Sequence, residues 1–68
     1  MNPPMTLQEK ITKVMYRTVK NWDDEEVLCL WHNCCDKVKN DGESDKVNGI
    51  IDACWKIIQE RDLIPPAG

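Results

Sequence analysis

Apolar residues recur every three or four positions along most of this chain, and the pattern restarts twice. The first series, Leu7, Ile11, Val14, Met15, Val19 and Trp22, keeps its side chains on one face of a helix turning about 100° per residue. It predicts helix 1 over about residues 7–21. Thr6 can accept a backbone N–H left unpaired at the helix start, and Glu9 three residues later would complete a capping box.

A second series, Val27, Leu28, Trp31, Cys34, Cys35 and Val38, predicts helix 2 over about residues 24–39, with Asp23 and Glu26 as a second capping box. Its acidic first turn faces the positive end of the helix dipole, and Lys37 and Lys39 lie near the negative end. Asn40-Asp41-Gly42 supplies turn residues, and Ser44 caps helix 3, expected over about residues 45–62. The stripe of helix 3 holds Val47, Ile50, Ile51, Cys54, Ile57 and Ile58, wide enough to face two neighbours. Pro65-Pro66 forbids its continuation.

Three helices joined by short connections favour sequential antiparallel packing. The expected fold is all-α, a small antiparallel three-helix bundle forming a single domain over residues 1–68, with mobile ends at 1–5 and 64–68. Its core is expected where Trp31, Ile51, Cys54 and Ile58 meet, each near the middle of its stripe.

Composition narrows the class. The chain has 68 residues, 41% of them hydrophobic and 31% charged, which suits a foldable globular domain rather than a disordered segment. No apolar run approaches the roughly 20 residues a membrane span needs, so no membrane association is expected and a cytoplasmic location is the default. The four cysteines, Cys29, Cys34, Cys35 and Cys54, then read as reduced thiols.

Charge is distributed unevenly. The net charge is −3, yet residues 1–22 carry +3, residues 23–45 carry −6 and residues 46–68 carry 0. Lys10, Lys13, Arg17 and Lys20 occupy a sector of about 80° on helix 1, with Tyr16 on its edge. Directly after Trp22 comes the run Asp23-Asp24-Glu25-Glu26. The basic stripe could grip phosphates or an acidic protein. The acidic run caps a helix and could also meet a basic partner.

Chemistry is harder to find. Cys29, His32 and Cys35 repeat every three residues, but Cys29 and Cys35 diverge by about 120° around the helix and lack a second ligand pair beyond a loop. Cys29 projects away from the apolar face beside Asp36, which disfavours a thiolate. Residues 41–45 fail as a calcium loop, because Lys37, Lys39 and Asn48 would fall at ligand positions. Helix 2, a glycine turn and helix 3 have the order of a DNA-reading motif, but helix 3 presents the mixed set Asp45, Lys46, Asn48, Asp52 and Lys56, and its approach would carry Asp41 and Glu43 toward phosphate. No catalytic residue, cofactor or metal is therefore expected.

The functional expectation is a non-enzymatic protein–protein interaction module. Short, acidic and helical with reduced cysteines, the chain is similar in general character to small regulatory or inhibitor proteins of phage or accessory-gene type. The expected partner surface is Lys10, Lys13, Tyr16, Arg17, Lys20, Trp22, Asp23, Asp24, Glu25, Glu26 and Trp55, the tryptophans included because half-exposed indoles make strong contacts. Self-association is compatible with this reading. The alternatives are an anion or nucleic-acid binder using the basic face of helix 1, with nucleic acid disfavoured by net charge, and a thiol or metal-binding module.

Overall fold

A computed structural model describes residues 4–63 of the chain. They form helices α1 (Leu7–Val19), α2 (Asp24–Asp41) and α3 (Asp45–Glu60), with no strand among the described residues. Of the ends expected to be mobile, residues 1–3 and 64–68 lie outside the described residues, while Pro4 and Met5 are exposed and non-helical.

All three helix starts fall where the capping residues place them. The Thr6 hydroxyl accepts from the Glu9 N–H at 3.1 Å, and the Ser44 hydroxyl accepts from the Val47 N–H at 3.2 Å. Asp23 departs from expectation, since its side chain makes no capping hydrogen bond. The acidic first turn there still faces the positive end of the helix dipole.

The helix ends differ from expectation, each for a local reason. α1 stops at Val19 rather than 21, and the Trp22 N–H turns back to the Val19 carbonyl at 2.8 Å. α2 runs on through Asn40 and Asp41, past the expected end at 39, until Gly42 leaves the helix at φ 87°. α3 stops at Glu60, short of 62, because Asp62 adopts φ 56°. There the Leu63 N–H reaches the Ile58 carbonyl and the Asp62 N–H reaches Gln59, which is the Schellman pattern with aspartate in the usual glycine position. Leu63 then packs on the core.

The bundle runs up, down and up, so that α1 and α3 are parallel and α2 opposes both. It is flattened, with extents of 40 × 28 × 15 Å. α3 is the middle member and packs against both neighbours, whereas α1 and α2 barely meet. Val19, Val27, Cys54, Ile57 and Ile58 form the buried cluster where the three helices converge, with Met15, Tyr16, Leu28, Leu30, Trp31, Ile50 and Leu63 around it.

Two of the four expected core positions are corrected. Cys54 and Ile58 are fully buried, but Ile51 and Trp31 are half-buried. A middle helix has to bury two flanks, so its protected arc includes Gly49, Ala53 and Ile57 as well as Cys54 and Ile58, leaving Ile51 at the margin. Val14 and Leu7, members of the α1 apolar series, are 61% and 59% exposed.

Gly49 sets the approach of α1 to α3. A Cβ at this position would lie 2.6 Å from the Ile11 Cγ2 and 3.0 Å from the Gln8 carbonyl oxygen. Glycine inside a helix costs about 1 kcal/mol relative to alanine. Here it permits backbone-to-backbone proximity, and the Thr12 hydroxyl lies 3.2 Å from the Gly49 carbonyl and 2.9 Å from that of Gln8.

Candidate functional site

The seam between α1 and α3 has two flanks, and the residues on α1 sort between them by their positions around the helix. On one flank Lys10, Ile11, Val14 and Met15 of α1 face Lys46 and Ile50 of α3 across a groove of about 350 Å³. Its lining is entirely apolar, because the lysine stems contribute carbon and hold their ammonium groups at the rim. On the other flank, Lys13, Tyr16 and Arg17 of α1, with Lys20 at its C-cap, share a groove of about 620 Å³ with Asp52 and Lys56 of α3.

The basic stripe expected to act as one surface is thus divided. Lys13, Arg17 and Lys20 stay together and gain Lys56, while Lys10 belongs to the apolar groove with Lys46. All four stripe residues are exposed. Tyr16 is tied into the α3 side: its phenol donates to Glu60 Oε1 at 2.6 Å, and Lys56 Nζ lies 5.1 Å from its ring centre. The hydrogen bond to Glu60, followed by desolvation and the Glu60 charge, raises the Tyr16 pKa above its ordinary value. Across the same groove Gln8 donates to Asp52 at 2.7 Å.

The acidic run occupies a separate place at the α1–α2 corner. Trp22, Asp23, Asp24, Glu25, Glu26 and Arg61 surround an open hollow of about 660 Å³. Arg61 organises it. One guanidinium nitrogen donates to the Trp22 carbonyl and to Asp24 Oδ1, both at 2.8 Å, and the other donates to the Lys20 carbonyl. A single side chain from beyond α3 thereby satisfies carbonyls of the corner and neutralises part of its charge.

The tryptophans also divide by role. Trp22 is 36% and Trp55 40% exposed, in keeping with the half-exposed indoles expected of both. Trp55, however, stacks on Trp31 with ring centres 5.7 Å apart, so part of its surface closes the outer margin of the α2–α3 seam.

Thiols gather on the α2–α3 side. Cys34 and Cys54 are buried, Cys35 is half-buried and Cys29 is exposed, its sulfur accepting from Asn33 Nδ2 at 3.7 Å. Burial raises the pKa of Cys34 and Cys35, and that of Cys54 is pushed up to about 11 by burial and then by its neighbours Cys34 and Cys35. Thiols held protonated in this way are poor nucleophiles and poor metal ligands. Among the described residues no group of three His, Cys, Asp or Glu side chains could hold a metal ion. His32 is exposed and pairs with Asp36 at 3.6 Å within its own helix.

Reading of the sequence missed Lys46, Lys56, Arg61 and Gly49. The lysines lie about 80° apart around α3, on either side of Gly49, and no local signal tells which groove each will border. No helix among the described residues is long and apolar enough to cross a membrane. Compared with known protein families, curated proteins and solved structures, the chain gives no match.

Proposed function

We infer that the chain is a non-enzymatic protein-interaction module, of the kind that regulates or inhibits a partner, and that the apolar groove between α1 and α3 is its docking surface. The observation that carries this reading is Val14, 61% exposed in the middle of an amphipathic helix and flanked by the half-buried Ile11, Met15 and Ile50. Apolar surface grouped in a concave strip gains most from being covered. Lys10 and Lys46 at the rim favour an occupant whose apolar residues are flanked by aspartate or glutamate. A reducing, cytoplasmic setting accords with four cysteines held as free thiols.

The test is affinity capture from host lysate with wild type and Val14→Asp, followed by titration of the purified captured partner. The expected result is a partner bound by wild type and weakened at least about tenfold by Val14→Asp, or about 1.4 kcal/mol. A partner that binds both proteins equally would remove the groove from the reading. Light scattering of the protein alone identifies a second copy as the occupant if wild type dimerises and Val14→Asp does not.

A further inference from the structure

The groove on the opposite flank of α1 has a different character. Four cations, Lys13, Arg17, Lys20 and Lys56, line it with two carboxylates, Glu9 and Asp52, in a protein whose overall charge is −3. Neither of the two salt bridges formed among the described residues involves any of these cations. Asp52 is already engaged by Gln8, and Lys56 is held over the Tyr16 ring instead of being paired with an acid. Four cations against two carboxylates leave the groove with a positive excess, and an anion placed among the cations relieves their mutual repulsion.

The cations lie around a carbon-rich surface, to which Met5, Thr12 and the Tyr16 ring contribute. A volume of about 620 Å³ falls within the range of small-molecule sites. Two helices hold the site, with Gly49 and the Thr12 hydroxyl fixing their spacing, so it is already formed. We propose that this groove binds a small phosphorylated organic molecule of nucleotide size, its phosphates among Lys13, Arg17, Lys20 and Lys56 and its apolar body against Tyr16 and Met5. The site is independent of the apolar groove, with which it shares no residue.

The experiment is a titration of isotope-labelled protein followed by amide chemical shifts, with adenosine triphosphate, adenosine, pyrophosphate and a short single-stranded oligonucleotide as probes. Adenosine triphosphate should give saturable shifts confined to α1 between Gln8 and Lys20 and to α3 between Asp52 and Lys56. Pyrophosphate should bind at least about tenfold more weakly and adenosine should not bind. Arg17→Glu with Lys56→Glu should abolish the shifts, Lys20→Glu alone should weaken them, and Val14→Asp, outside this groove, should leave them unchanged. Absence of saturation at millimolar nucleotide overturns the proposal, as does equal affinity in Lys20→Glu should the double variant not fold. Pyrophosphate binding as tightly as the nucleotide would reduce the groove to a bare charge patch. An oligonucleotide binding more tightly than the nucleotide, with a steep salt dependence, would replace the small ligand by nucleic acid.

Discussion

Helix α3 meets α1 through a glycine and a line of polar bonds, and it meets α2 through thiols, branched aliphatic side chains and a tryptophan stack. On the α1 side, Thr12 reaches Gly49, Gln8 reaches Asp52 and Tyr16 reaches Glu60, while Val14 and Leu7 stay exposed. On the α2 side, Val27, Cys34 and Cys54 are buried and Trp31 stacks on Trp55. The two seams divide the work of the molecule. One is closed with dry packing, and the other is held by close backbone approach with a groove open along each flank. Two grooves flank the α1–α3 seam, while a third hollow of about 660 Å³ lies apart from it at the α1–α2 corner.

The largest break in this contrast is expected where both seams converge. Ile57 is 2% exposed and belongs to the cluster with Val19, Val27, Cys54 and Ile58, so Ile57→Ala should cost about 2–5 kcal/mol by urea denaturation. A loss below about 1 kcal/mol would mean that the cluster does not unite the halves.

Gly49→Ala attacks the α1 seam alone. Overpacking costs about 1–3 kcal/mol, offset in part by about 1 kcal/mol of gained helix propensity. The new methyl would meet Ile11 and the Gln8 backbone, which have little room to yield, so the net change should be destabilising. A stabilised variant would show that the helices are not in close approach there.

Alkaline pH reaches both seams, through Tyr16 on the α1 side and the buried thiols on the α2 side, and comparison with Cys54→Ala isolates the thiol. The Cys54 pKa is raised from 9.0 to about 11, so the folded state keeps a proton that the unfolded chain releases. The stabilisation is complete below about pH 9 and is lost as pH rises toward 11. The urea midpoint should fall across that window, and Cys54→Ala should show a smaller fall. Identical pH profiles for the two proteins would refute this assignment.

The smallest effect is expected at the apolar groove. Val14→Ser should change stability by no more than about 0.5 kcal/mol, because the side chain is 61% exposed. A larger loss would place Val14 in the fold and not on a docking surface.

What was legible in the sequence follows the same division. The starts of α1 and α3 could be read because Thr6 and Ser44 act within one turn of their own position, and α2 starts after Asp23 as read although Asp23 makes no capping hydrogen bond. The ends could not, since Asp62 rather than a glycine takes the left-handed position and Arg61 captures carbonyls about 40 residues away. The periodicity of α3 announced two neighbours but could not say which flank each would cover. Ile51 was therefore placed at the centre and Ile57 received no special weight. The basic stripe was visible as a sector of α1, and its division between two grooves depends on Lys46 and Lys56 of a helix distant in sequence.

The placement of α3 has a consequence during synthesis. The helix in the middle of the molecule is the last of the three to leave the ribosome, and α1 and α2, which barely meet, are translated first. Until residues 45–60 emerge, the apolar stripes of both earlier helices have no partner to cover them. Folding of this unit is therefore deferred to the arrival of its third helix, and a released chain truncated near Gly42 would leave two amphipathic helices open to proteases.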